Sequence, residues 1–309
     1  DEDTWGDFHV MFATAGGNVR RNALSDFAIV KANGKIAMKL DEGDHIIGVR
    51  LCKEDEDILL TARQGKCIRF PVTEVRLFKG RDSSGVRGIR LDDGDDVIGM
   101  SILRHVECLP PESRAYVRQA NALRRGEETE TEVGTEAATE PDDENGAEVV
   151  LITEERFAEL EELEEFILSV TENGYGKRSS AFEYRTTRRG GKGIVNIVTS
   201  ERNGGLVASG PIGAEDQIML VTDGGQIIRT PISDIRIGGR NTQGVTLFQT
   251  GENERVVSVS RLEEESMNGS SDEDEGVEAA GGTDQDANPQ GLTDDSSLAN
   301  SSENLGEQE

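Results

Sequence analysis

The sequence predicts an all-β repeat fold, and three observations predict it. An apolar run followed by Gly and Arg spaced four apart occurs four times, at Gly17/Arg21, Gly65/Arg69, Gly174/Arg178 and Gly225/Arg229. The first two copies lie 48 residues apart and the last two 51, with a middle gap of 109, a period that marks repeated supersecondary units. A second glycine follows each turn glycine after 17, 20, 19 and 19 residues, at Gly34, Gly85, Gly193 and Gly244. The runs between them are short, alternate apolar with polar, and end in Gly, Asn or Asp, the signature of hairpins. No long helical pattern separates them, which argues against a parallel βαβ sheet.

In the first copy, His9–Thr14 reads as a strand, Ala15–Asn18 as a tight turn and Val19–Arg21 as the returning strand. Gly34–Leu40 alternates, Glu42-Gly43-Asp44 turns, and Ile46–Val49 closes the unit. The second copy reads Ile58–Ala62, Gly65–Phe70, Gly85–Leu91 and Val97–Met100. The third reads Phe166–Thr171, Gly174–Arg178, Gly193–Val198 and Leu206–Ala208, and the fourth Gln217–Thr222, Gly225–Thr230, Gly244–Phe248 and Val256–Val259. Each copy is thus expected to supply four strands. Radial blades and a stacked β array bury such units equally well, and strand pattern alone leaves both open.

The domain organisation expected is two repeats over 5–108, an insertion over 109–165, two repeats over 166–262 and a disordered acidic tail over 263–309. Within the insertion, Ser113–Arg125 reads as a helix stopped by Gly126, with Arg114, Arg118 and Arg125 on one face. Residues 127–148 read as disordered, and Thr153–Glu165 as an acidic helix with Thr153 as N-cap and Phe157, Leu160 and Leu163 on its apolar side. The chain begins at Asp1 rather than Met and is read as a fragment.

The formal charge of −28 is confined. Residues 127–165 hold 17 acidic residues and one basic, residues 263–309 hold 15 acidic and none, and the remainder carries +3. Both acidic blocks have the composition of segments that cannot bury a core. Cys52, Cys67 and Cys108 show no CxxC or CxxH spacing, and Cys67 sits in an apolar run as a buried thiol would. With no signal peptide and no apolar run near 20 residues, a reducing cytoplasm is the expected location.

No catalytic motif emerges. His9, His45 and His105 have no metal-ligand spacing. There is no GxSxG, Walker loop or HExxH. Asp92–Asp96 has the acids of a calcium loop but not its downstream Glu. The basic residues, by contrast, gather around the Gly-rich turns: Arg20-Arg21, Lys66 with Arg69, Lys79 with Arg81, Arg87 with Arg90, Lys177-Arg178, Arg229, and Arg236 with Arg240. The densest run is Arg185-Thr186-Thr187-Arg188-Arg189-Gly190-Gly191-Lys192-Gly193. Glycine lets backbone approach a phosphate, and Arg and Lys supply charge and donors. A basic rim following a polyanion is the expectation.

Several of these segments carry a resemblance: Phe12-Ala13-Thr14-Ala15, Gly85-Val86-Arg87-Gly88-Ile89-Arg90-Leu91, Thr171–Arg178 and Gly239–Val245. In order and spacing they resemble the C-terminal domain of the DNA gyrase A subunit, over about 5–108 and 165–262. The resemblance implies a β-pinwheel, a propeller-like disc of six blades, of which four would be present here, the opening repeat matching the third. It also implies a rim that wraps duplex DNA for ATP-dependent negative supercoiling by a type IIA topoisomerase. The partners implied are DNA and the remaining parts of an A2B2 assembly of A and B subunits, with no membrane. ATP and Mg would belong to the holoenzyme, with no cofactor in this chain. Arg188–Gly193 matches six of the seven positions of the family's wrapping motif QRRGGKG, with Thr187 in place of Gln. That motif lies on the family's first blade, and here it would lie on the fifth. The transesterifying tyrosine belongs to a region absent here, so Tyr116, Tyr175 and Tyr184 have no claim to it. The DNA-contacting candidates are Arg188, Arg189, Gly190, Gly191, Lys192, Gly193, Arg21, Arg69, Arg81, Arg87, Lys177, Arg178, Arg229 and Arg240. The C-terminal domain of topoisomerase IV, and a β-propeller protein-interaction module docking through the insertion helix, stand as alternatives.

Overall fold

The computed structural model describes residues 2–29, 32, 34–80, 82–128 and 152–263. Of the expected disorder of 127–148, residues 127 and 128 are instead helical; 129–148, most of the acidic tail and Arg81 fall outside the described residues. The chain divides into Asp1–Gly269 and Ser270–Glu309, and everything described belongs to the first unit.

The strands are β1 (His9–Thr14), β2 (Asn18–Ala23), β3 (Ile46–Cys52), β4 (Glu56–Ala62), β5 (Lys66–Pro71), β6 (Val86–Arg87) and β7 (Val97–Arg104). Helices α1 (Pro110–Glu128) and α2 (Glu154–Glu162) follow. Then come β8 (Phe166–Thr171), β9 (Tyr175–Ser180), β10 (Ile194–Val195), β11 (Leu206–Ile212), β12 (Gln217–Thr222), β13 (Ile227–Pro231), β14 (Val245–Thr246) and β15 (Val256–Leu262). They form four antiparallel sheets in the orders β3-β1-β2-β6, β7-β4-β5-β10, β11-β8-β9-β14 and β15-β12-β13. β3 packs on β7, β7 on β11 and β11 on β15. These four strands are therefore the stacked inner edges, and β6, β10 and β14 lie outermost.

One expectation is corrected by this order. A sequence repeat is not a sheet: the fourth strand of each of the first three sheets comes from the following repeat. β6 pairs with β2, β10 with β5 and β14 with β9. The joint has one geometry throughout. The carbonyl of Gly17 accepts the N–H groups of Gly88 and Ile89 at 2.8 and 3.3 Å, that of Gly65 those of Asn196 and Ile197 at 2.8 and 3.2 Å, and that of Gly174 those of Leu247 and Phe248 at 2.9 and 3.1 Å. Gly65 shows why glycine stands there: its φ is +82°, and a Cβ would lie 2.2 Å from the Ile197 carbonyl oxygen. The exchanged strands are only two residues long, shorter than the runs 85–91, 193–198 and 244–248 suggested. Gly34–Leu40 forms no strand, because no described edge lies beside it.

Position in the stack also decides how a strand reads. The β4 residues Ile58, Leu59 and Leu60 are all buried, since their sheet has a neighbour on both faces. In β12, the last central strand, fully and partly buried residues alternate, as expected for a sheet covered on one face. Full burial of an Ile or Leu contributes about 1.5–3 kcal/mol, and Ile58, Leu60 and Phe70 of the second sheet share one core cluster with Val72 of the following 3-10 turn.

In the insertion, α1 starts at Pro110 and runs through Gly126, longer than the sequence reading at both ends. Proline is suited to a first helical turn, where its missing N–H is not needed. α2 is shorter than expected, ending at Glu162 because β8 begins at Phe166. Thr153 accepts the Arg156 N–H as its N-cap. Tyr116 of α1 meets Phe157 of α2 and Phe182 of the third repeat, with ring centroids 5.1 and 5.0 Å away. The Ser113 hydroxyl donates to the Phe182 carbonyl at 2.5 Å. The helical pair is thus seated on the segment leading into Arg185–Gly193.

Candidate nucleic-acid interface

In each of the first three sheets, the loop feeding the exchanged strand runs along the outer side of the hairpin. Parallel bridges mark the same place three times: Arg21 with Leu77, Arg69 with Thr186 and Arg178 with Ile237. The outer loops are therefore 76–85, 185–193 and 236–244. Each is preceded by a single 3-10 turn (Val72–Glu74, Ala181–Glu183, Ile232–Asp234) and a buried residue, Val75, Tyr184 or Ile235. The next residue is arginine in all three: Arg76, Arg185 and Arg236, each exposed. The sequence reading passed over Arg76 and left all three out of its candidates. The missed signal is the recurring triplet Glu74-Val75-Arg76, Glu183-Tyr184-Arg185 and Asp234-Ile235-Arg236.

The basic candidates divide into two groups. Arg21, Arg69 and Lys177 are 5%, 6% and 1% exposed, and these three are corrected to interior residues. Arg21 donates to Glu54 at 3.0 Å. Arg69 donates from Nε to Asp57 at 2.7 Å and from its other nitrogens to the carbonyls of Ala181 and Arg104, while Asp57 also meets His105 at 2.9 Å. Lys177 donates to the carbonyls of Gly239, Arg240 and Thr242 at 2.5, 2.6 and 3.3 Å. Burial pushes its pKa down to about 7, with Glu183 acting the other way and Arg240 adding to the fall. The half-buried Glu183 carboxyl is raised by desolvation and accepts the Arg240 backbone N–H at 2.9 Å. Period-spaced cations look alike in sequence, yet those on the inner side of a strand must be paired, since a buried charge without partners is costly.

Other candidates hold the loops together while remaining partly accessible. Arg178 is half-buried and donates to the carbonyls of Ile235 and Ser233 at 2.6 and 3.3 Å. Arg240 donates to Val195 O at 2.6 Å. Arg189 ties its loop to the two residues flanking loop 76–85, donating from Nε to Glu74 O at 2.9 Å and from Nη1 to Arg87 O at 3.0 Å.

Arg188, Lys192 and Arg87 are exposed. Arg185, Arg188 and Lys192 line a shallow depression of about 180 Å³ floored by Ile68 and Gly191. Arg229, on β13, is exposed and donates to Gln217 at 2.5 Å. The glycines have distinct reasons. Gly190 and Gly193 have φ of +80° and +75°, and a Cβ on Gly193 would lie 2.2 Å from the Cys67 carbonyl oxygen. Gly190 N donates to Gly88 O at 2.6 Å, and Arg90 N to Gly191 O at 2.8 Å. Loop 185–193 therefore lies on the sheet of the second repeat, not on that of its own.

Three of the four acids of Asp92–Asp96 are committed to the fold: Asp96 pairs with Arg63 at 2.8 Å, Asp95 accepts Gln64 N at 2.9 Å, and Asp92 pairs with Lys66. Among the described residues, no group of three or more His, Cys, Asp or Glu is placed to hold a metal ion. Among them, no helix is long and apolar enough to cross a membrane.

This arrangement matches known proteins. The chain is 50% identical over 287 residues to the DNA gyrase A subunit of Granulibacter bethesdensis, covering 91% of this chain and 30% of that one. It is 44% identical over 270 residues to the DNA gyrase A subunit of Rickettsia bellii, covering 86% and 28%. It spans about a third of the length of these relatives. In fold it is similar to a solved DNA gyrase A C-terminal domain, at a TM-score of 0.58 and 21% identity over 85% of this chain and 68% of that one. It is also similar to a solved C-terminal domain of DNA topoisomerase IV, at 0.61 and 18% over 83% and 62%. The family model described as the DNA gyrase C-terminal domain, beta-propeller, matches four times, at 9–53, 56–104, 165–211 and 216–263, more than half of the sequence. Repeats, sheet order and sequence agree, and the chain belongs to the DNA gyrase C-terminal domain family.

Proposed function

We propose that this chain binds duplex DNA along the outer loops of its sheets and bends it without reading bases, as the DNA-wrapping module of a gyrase A subunit. The observation that carries the reading is the recurrence of an exposed arginine, Arg76, Arg185 and Arg236, at the head of three equivalent loops on successive stacked sheets. Arg188 and Lys192 add charge to the middle loop, and Arg87, Arg229 and Arg240 extend it. Arg189, Arg178, Gly190, Gly191 and Gly193 set the shape of the loops. A row of cations repeated from sheet to sheet fits the backbone of a polyanion. Bending a short duplex by 40–90° costs about 1–6 kcal/mol, which scattered contacts do not offset and a continuous curve of contacts does.

In this reading the chain contributes no catalytic residue. Cleavage, ATP use and negative supercoiling belong to the cytoplasmic A2B2 holoenzyme, whose other parts, from the A and B subunits, are its protein partners. Phosphate neutralisation dominates the affinity, so log K falls with log salt by about 0.9 per phosphate contact.

The test is end-to-end FRET on a duplex of several helical turns, with salt titration, using the unmutated chain and the triple variant Arg76→Ala, Arg185→Ala, Arg236→Ala. Bending by the unmutated chain and a salt slope lower by about three in the variant are expected. Absence of bending by the unmutated chain at low salt overturns the reading.

A further inference from the structure

The helical pair stands outside the four stacked sheets, between β7 and β8, and the outer loops leave it without a role. It is firmly fixed to the fold. At its roots Arg104 N donates to the Glu165 carboxylate at 2.9 Å, and Ala181 N to the Glu165 carbonyl at 2.8 Å. Ser113 and Tyr116 seat α1 on Phe182. Between the helices Arg156 pairs with Glu112 at 2.7 Å and Arg124 pairs with Glu164. The Tyr116 hydroxyl donates to the same Glu164 carboxylate at 3.0 Å.

The cations of α1 fall on two faces. At about 3.6 residues per turn, Arg114, Arg118 and Arg125 lie within about 40° of one another around the axis. The buried residues Tyr116 and Ala120 lie on the opposite side. Arg124, turned toward α2, is paired. Arg114, Arg118 and Arg125 are exposed, and the Arg125 Nε donates back to Asn121 O at 3.3 Å. Among the described residues Arg114 and Arg118 meet no hydrogen-bond or ion-pair partner, although α2 exposes Glu154, Glu155, Glu161 and Glu162. α2 packs against the Tyr116 side of α1, so the stripe faces away from it. No acidic residue lies between Ser113 and Gly126 to neutralise the stripe from within the helix.

The stripe begins beside the middle outer loop. Phe182, on which Ser113 is fastened, precedes Arg185 by three residues, a reach of at most about 11 Å. Arg188 and Lys192 follow in that loop. Along α1 the three arginines cover about 16 Å, the length of about five base-pair steps. Guanidinium groups meet phosphate oxygens through paired donors.

We infer that the Arg114, Arg118 and Arg125 face of α1 is a second DNA-backbone site, taking up the duplex beside the middle outer loop. The inference rests on the outer-loop reading and extends it. The ligand is the same phosphodiester backbone, met by a helix rather than a loop and without base readout. An acidic protein would match the same charges, but the stripe adjoins a loop of its own sign. One polyanion spanning both satisfies both.

The experiment titrates salt against binding of a duplex of several helical turns by the whole chain and by the variant Arg114→Ala, Arg118→Ala, Arg125→Ala. The expected result is a salt slope lower by about three, at about 0.9 per lost contact, and equally so for unrelated sequences. The variant Arg114→Lys, Arg118→Lys, Arg125→Lys should keep the slope. For location, Ala122→Cys beside the stripe and Glu155→Cys on α2 each carry an iron–EDTA cleavage reagent in a Cys108→Ser background. Strand cuts are expected from position 122 and not from position 155. Equal cutting from the two positions overturns the inference. So does an unchanged slope in the alanine variant while the unmutated chain binds and bends the duplex. The outer-loop reading then stands, and the stripe serves an acidic protein or the chain's own acids. Absence of binding by the unmutated chain at low salt overturns both. Circular dichroism of each variant separates misfolding from lost contact.

Discussion

Loops 185–193 and 236–244 occupy the same place on neighbouring sheets but are held in opposite ways. Beneath 236–244 the third residue after the turn glycine is Lys177, whose ammonium binds three of the loop's carbonyls from inside. Beneath 185–193 the equivalent residue is Ile68, which offers no donor. That loop is fastened by the main chain, through Thr187, Gly190 and Gly191, and from outside by Arg189. Loop 76–85 follows the first pattern, with Arg20 donating to the Ser83 carbonyl and hydroxyl. An inner cation uses a loop's carbonyls for the fold. An apolar inner residue leaves loop charges such as Arg188 and Lys192 turned outward, available to a ligand.

The sharpest way to break the distinction is to treat an inner cation as a ligand contact. Arg69→Met leaves Asp57 buried without its guanidinium partner, and a stability loss of about 3–5 kcal/mol is expected, read as a lower urea midpoint. Gly193→Ala comes next. Its Cβ has no room beside the Cys67 carbonyl oxygen and its φ is positive, so about 3 kcal/mol is expected from overpacking and strain together. Gly225→Ala, with the same φ sign but open space, should cost only about 1 kcal/mol.

Lys177→Met follows, at about 1–3 kcal/mol for the carbonyls left without a donor, with faster amide exchange at Val198, whose N–H donates to Thr242 O. The same lysine gives a pH signature. Its pKa falls from 10.5 to about 7 in the fold, so between those values the unfolded chain holds a proton that the folded chain releases. Stability therefore rises with pH from about 7 toward 10.5, and urea midpoints of Lys177→Met should lack that rise. The smallest effect on stability belongs to the outer charges. Arg188→Ala and Lys192→Ala should each change it by less than about 0.5 kcal/mol and each lower the DNA salt slope by about one. A destabilised Arg188→Ala would collapse the distinction.

Much of the fold was legible because its signals are local. Gly17, Gly65, Gly174 and Gly225 mark hairpin turns by a backbone conformation that other residues adopt at a cost, and the apolar runs beside them became β1, β4, β8 and β12. Thr153 announced α2 by its capping side chain. The outer arginines were half legible. Arg188 and Lys192 stood out through clustering, whereas Arg76 is isolated in sequence and acquires meaning only beside Arg185 and Arg236. Arg21, Arg69 and Lys177 were misread for a different reason. Charge alone does not say which face of a strand a residue occupies when the sheet is covered on both faces.

The sequence by itself determined the repeat, the hairpins, the confinement of acidity to two segments and the family, because each is written in spacing and composition. Only the tertiary structure decided that sheets and repeats are out of phase by one strand. It also decided which cations face inward, and that β13 and Gly34–Leu40 lack partners among the described residues. The physical reason is that strand exchange and side-chain burial are pairings between distant segments. They depend on which edge meets which, and a residue carries no local mark of the edge it will meet.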